Sequence, residues 1–85
     1  MQTIVAVMSV VVEKEESVES LNALLHDFGE HIIGRMGIPY RAKGVNIVSV
    51  ALDAPLEIIS SLAEKLGAVP GLSVTTAYSS VVSEE

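Results

Sequence analysis

Two strand-length runs in this 85-residue chain are apolar on both of their alternating faces. In residues 3–12 one set is Ile4, Ala6, Met8, Val10 and Val12, and the other contains Val5, Val7 and Val11. In residues 45–52, Val45, Ile47 and Ala51 alternate with Val48, Val50 and Leu52. A half-exposed strand alternates apolar with polar residues, so these two runs belong in the middle of a sheet that is covered on both sides. The rest of the chain then has to supply the edge strands and the cover.

Each run leads into a helical pattern. Glu13-Lys14-Glu15-Glu16-Ser17 reads as a polar turn, with Ser17 as N-cap and acidic residues suited to the helix dipole. Val18, Leu21, Leu25, Phe28 and Ile32 recur at helical spacing, with Leu24 beside them. Gly29 is the expected stop, because glycine adopts the left-handed C′ conformation without steric cost. In the second half Asp53 or Ala54 is the expected cap, with Pro55 in the first turn. Leu56, Ile59, Leu62, Ala63 and Leu66 form the buried stripe, and Gly67 ends it. Two further strands are expected at 31–40 and 72–78. The first is interrupted by Gly34 and Gly37, and Pro39 limits it to an edge because proline donates no ladder hydrogen bond.

The order is β-α-β-β-α-β, strand-helix-glycine-strand repeated with no linker. Its standard solution is a split β-α-β sandwich: an α+β, ferredoxin-like, ACT-like fold with a four-stranded antiparallel sheet and both helices on one face. In that topology the two doubly apolar strands are the central pair. The domain is expected to span residues 1–80, with 81–85 as a frayed tail. One sheet face then has nothing from its own chain to cover it. Hydrophobic residues make up 49% of the chain but aromatic ones only 4%, and mean hydropathy is +0.51. That aliphatic excess predicts a homo-oligomer, dimer or tetramer, burying the second face.

Charge and composition exclude several function classes. Five basic residues stand against eleven acidic ones, a net charge of −6, which opposes direct nucleic-acid binding. Without cysteine there is no disulfide framework or thiolate chemistry. The N-terminal apolar run is closed by Glu13 and is too short for a membrane span. It has neither a basic leader nor a small-residue cleavage site, so no membrane association and a cytoplasmic location are expected.

Residues 29–41 gather unusual residue types in an otherwise aliphatic chain. Arg35 and Arg41 are suited to bidentate capture of a carboxylate or phosphate, or to pairing with a carboxylate such as Glu13 or Glu30. Gly34 and Gly37 suggest a bulge or a close backbone approach, and Tyr40 is placed to line a pocket or pack at a rim. His26 with Glu30, and Asp27 with His31, are four apart, the spacing of metal ligands on a helix, although Gly29 interrupts the second pair. The plainer reading is a polar helix end, with the histidines near free carbonyls. No nucleophile turn or catalytic triad is present, so no enzyme activity is expected.

The segment Ile33-Gly34-Arg35-Met36-Gly37-Ile38-Pro39-Tyr40-Arg41, with Leu24-Leu25-His26 before it and Leu66-Gly67-Ala68-Val69-Pro70-Gly71-Leu72-Ser73-Val74 after it, resembles the iron-only hydrogenase system regulators. These are stand-alone domains related in fold to ACT domains and to the C-terminal domain of nickel-responsive repressors. The resemblance covers about residues 3–78 and implies a regulatory role in such a system, with a hydrogenase-system protein as partner. The chain departs from both relatives. It has Glu13-Lys14-Glu15-Glu16-Ser17 where amino-acid-binding ACT domains carry a glycine. It also lacks the cysteine and the DNA-binding ribbon of the nickel repressors. The expectation is a non-enzymatic regulatory homo-oligomer that senses a small anionic ligand or a metal at its subunit interface, with no firmly implied cofactor. A structural or adaptor protein that assembles with a protein partner is the alternative.

Overall fold

A computed structural model describes residues 2–84. The elements are β1 (Gln2–Val12), α1 (Val18–Asp27), β2 (Ile32–Tyr40), β3 (Val45–Ala54), α2 (Leu56–Gly67) and β4 (Leu72–Glu84). The four strands form one antiparallel sheet in the order β2-β3-β1-β4. The fold is the expected α+β, ferredoxin-like arrangement, and the two doubly apolar runs are its central pair. Strand periodicity places their even-numbered residues on one side. Ala6, Met8, Val10 and Val12 of β1 are buried there with Val48, Val50, Leu52 and Ala54 of β3. Leu21 and Leu25 of α1 and Ile59, Leu62 and Leu66 of α2 close the same cluster. Both helices therefore lie on one face. No helix among the described residues is long and apolar enough to cross a membrane.

The other face of the sheet is uncovered. Val7 is 41% exposed, Ile47 40%, Met36 62% and Ile38 53%. Ile38 and Ile47 adjoin directly, with Val11 beside them, while Ser9 and Ser49 lie between this group and Val7. Monomeric proteins seldom leave many aliphatic side chains open on one sheet face.

The ends of the elements depart from expectation in four places. The C-terminal residues are not a frayed tail: β4 continues to Glu84, with Val82, Ser83 and Glu84 opposite Ile4, Thr3 and Gln2. The start of β1 needs partners for its backbone groups on that side, and the tail supplies them. A bulge lets it do so, with the Ser79 hydroxyl donating to Val5 O at 2.6 Å and accepting from Val81 N–H at 3.1 Å. Residue 85 lies outside the described residues. Ser17 is not a side-chain cap, because its backbone is already helical and its buried hydroxyl donates to Pro70 O. Gly29 is not left-handed. The chain instead tightens into a 3-10 turn, Gly29–His31, with His31 N–H donating to Phe28 O at 3.0 Å. Finally, Asp53 and Ala54 stay in β3, paired with Val5 and Ile4, which leaves Pro55 at the cap of α2.

Gly71 holds the two halves of the chain close together. Its φ is +89°, and its carbonyl accepts from Glu13 N–H at 2.7 Å. A Cβ there would fall 2.9 Å from Lys14 Cβ and nearer still to Ser17 Oγ. Both the left-handed backbone and the clash oppose any side chain. Gly71→Ala is expected to cost about 1–3 kcal/mol, measured by urea denaturation. A loss within experimental error of zero would show that the turn can relax.

Candidate functional site

β2 is an edge strand, and its alternation divides the unusual segment between the two faces of the sheet. Arg35, Gly37 and Pro39 lie opposite Val50, Val48 and Asn46, and Arg35 and Gly37 therefore share the side of the buried core residues. Gly34, Met36, Ile38 and Tyr40 lie opposite Ala51, Ser49, Ile47 and Val45, on the uncovered side. A register shift between Ile32 and Gly34 makes Ile33 the extra residue of a bulge, 64% exposed. The bulge anticipated from the glycines is present. The close backbone approach does not occur within the chain, since a Cβ on Gly34 or Gly37 would meet no atom within 4 Å.

On the helix side, Val18, Asn22 and His26 of α1 are spaced four apart and so form one row along the helix. Arg35 joins the strand to this row: its Nη2 donates to Asn22 Oδ1 at 3.0 Å. No carboxylate of the described residues comes within ion-pair distance of the guanidinium, so neither Glu13 nor Glu30 neutralises it. The Arg35–Asn22 contact separates two hollows. One, of about 360 Å³, is lined by Asn22, Leu25, His26, Gly29, Ile32 and Arg35. The other, of about 270 Å³, lies between Val18 and Leu21 of α1 and Val12, Arg35, Gly37 and Asn46 of the sheet. A more open hollow of about 780 Å³ shares Val12, Val18, Asn22 and Asn46 with it and reaches Glu15, Glu16 and Glu19.

The candidate residues thus separate. Arg35, Gly37 and His26 border the groove between α1 and β2. Gly34 and Tyr40 belong to the opposite face. Arg41 begins the 3-10 turn Arg41–Lys43 beyond the far end of β2. His31 ends the turn that precedes β2, its Nε2 3.6 Å from Glu30 Oε1. Among the described residues no three His, Asp or Glu side chains gather closely enough to hold a metal ion. His26 and His31 are therefore not joined by further ligands, and the groove offers a guanidinium, amides and apolar surface instead. Asn22 and Asn46 were not among the residues singled out from the sequence. The i, i+4 row through Val18, Asn22 and His26 was the available signal, but it acquires meaning only beside β2.

Comparison with known proteins identifies the family. A model of the TM1266-like family, iron-only hydrogenase system regulators whose regulatory role is itself a proposed one, matches residues 4–76. The chain belongs to this family. A solved structure of the TM1266 protein from Thermotoga maritima, titled uncharacterized, superposes with a TM-score of 0.86 at 31% identity. The match covers 89% of this chain and 96% of that one. A formyltetrahydrofolate deformylase from Pseudomonas putida KT2440 matches with a TM-score of 0.61 at 14% identity, over 86% of this chain and 28% of the deformylase. At that identity the likeness concerns fold alone. No curated protein matches.

In this TM1266-like chain Asn22 and Arg35 are exposed, and their mutual hydrogen bond is the side-chain bond found for either of them among the described residues. Asn22→Ala and Arg35→Ala are each expected to change stability by no more than about 0.5 kcal/mol, read from urea titrations. A loss of several times that amount would make the pair a structural clamp.

Proposed function

We propose that this chain is a cytoplasmic, non-enzymatic regulatory module of an iron-only hydrogenase system. It works as a homo-oligomer through the uncovered sheet face, and it responds to a small anion held at Arg35. The observation that carries this reading is the alternation of β2. Arg35 and Gly37 border the groove beside α1, while Met36, Ile38 and Tyr40, interleaved with them, present apolar surface on the other side. One short strand, hydrogen-bonded to a neighbour along one edge only, is therefore common to a ligand site and an interface. Ligand contacts that shift or stiffen β2 alter the surface offered to a second copy.

Family membership supports the regulatory class, and the exposed aliphatic face supports self-association. The donor set supports an anion over a metal, since an arginine, two asparagines and the single His26 make no metal-ligand cluster. A hydrogenase-system protein seated on the same face is the adaptor alternative, and the oligomeric state of the purified chain separates the two.

Untagged protein at micromolar concentration is expected to sediment as a dimer or tetramer of the 9.0 kDa chain. Met36→Glu and Ile38→Glu place a charge on the open face without touching the core and are expected to give monomers with unchanged circular dichroism. A wild-type mass of one chain would overturn the homo-oligomer and favour the adaptor reading.

A further inference from the structure

We propose that the groove between α1 and β2 binds a small organic monocarboxylate with an aliphatic tail, its carboxylate on Arg35 and its tail along Val18. This rests on the ligand-responsive reading above and names the ligand class.

The head group follows from the unused capacity of Arg35. A guanidinium carries five N–H donors in a planar fork that matches a carboxylate. One nitrogen is engaged by Asn22 Oδ1, and no other acceptor among the described residues is bonded to it. Asn22 is here a positioning residue, since it holds the guanidinium at the junction of the two hollows.

The tail follows from what lies beyond the head. The 270 Å³ hollow is lined by Val12, Val18, Leu21 and Val48. Val12, Leu21 and Val48 are almost wholly buried and form its floor, while Val18 is partly exposed and gives a tail apolar surface to cover. At about 30 Å³ for each water-sized group it holds on the order of nine, the size of a short fatty acid and too small for a nucleotide. Charge narrows the class further. One guanidinium faces the groove, while Glu15, Glu16 and Glu19 border the adjoining hollow. A single carboxylate is matched by Arg35, whereas a polyphosphate would meet those glutamates with most of its charge uncompensated. Gly37 keeps the space open, because no side chain projects from that position of β2.

The test is a titration of the full chain with hexanoate, acetate, 1-hexanol and ATP, followed by amide chemical shifts and by sedimentation of the same samples. Hexanoate is expected to perturb Asn22, Arg35 and Gly37 and to bind more tightly than acetate or hexanol, with ATP inert. Arg35→Gln is expected to weaken hexanoate at least about tenfold, with Arg35→Lys intermediate. Gly37→Val fills the hollow and is expected to abolish the advantage of hexanoate over acetate while leaving acetate binding in place. Equal binding of hexanol, hexanoate binding unaffected by Arg35→Gln, or no hexanoate binding would each overturn the assignment. The two readings fail separately. Hexanoate bound at Arg35 without any change in sedimentation supports the site and overturns the regulatory coupling. No binding to a chain that still self-associates overturns the site and leaves the interface standing.

Discussion

The antiparallel pairing of β1 with β3 is the contact on which the rest of the structure depends. Residues Ile4–Val12 run against 46–54 without a break in register. That regularity brings Ala6, Met8, Val10 and Val12 onto the same side as Val48, Val50, Leu52 and Ala54. Slipping by a single residue would turn every one of those side chains to the other face. With the core side defined, two helices of 10 and 12 residues are enough to close it, and none of the described elements covers the opposite side.

The connection between β1 and α1, Glu13-Lys14-Glu15-Glu16-Ser17, contains no glycine, and its close approach to the second half of the chain is made possible by one there: Gly71 of the α2–β4 turn receives Lys14 and Ser17. The bond from Glu13 N–H to Gly71 O and that from the Ser17 hydroxyl to Pro70 O then stitch the turn to the start of the first helix. Ser17 anchors one half of the chain to the other, a contact 53 residues away in sequence that no local rule reveals.

Periodicity made the architecture legible. Strand alternation identified the central pair, and the 3.6-residue stripes identified both helices and the buried Leu21, Leu25, Ile59, Leu62 and Leu66, although Leu56 is exposed at the start of α2 and Ile32 belongs to β2. Helix ends were less legible, since they depend on single hydrogen bonds. A 3-10 turn took the place of the left-handed Gly29, and Pro70 took the Ser17 hydroxyl. The last residues of β4 are exposed and serine-rich, so only their pairing with Gln2, Thr3 and Ile4 shows them to be strand. The candidate site was legible as a segment but not as a surface. Its residues were grouped by proximity in sequence, whereas a strand sends neighbours to opposite faces. Arg35 and Tyr40 therefore do not share a site, and Arg35 is joined instead by Asn22 from a helix 13 residues earlier.

The same alternation bears on regulation. A ligand shifts an assembly equilibrium only by the difference in its affinity for the two states. In the proposed scheme that difference is carried chiefly by β2, the edge strand that borders both the groove and the open face. An interior strand would serve poorly, because ladders on both sides resist displacement. β2 is bonded on one side, begins with a bulge and contains two glycines with open space around them, so small shifts of its backbone are inexpensive. Reciprocity then applies: if the ligand favours association by some factor, association favours the ligand by the same factor. The glycines, the proline and the arginine of the segment fit one account in which the strand must remain both deformable and chemically distinct on its two sides.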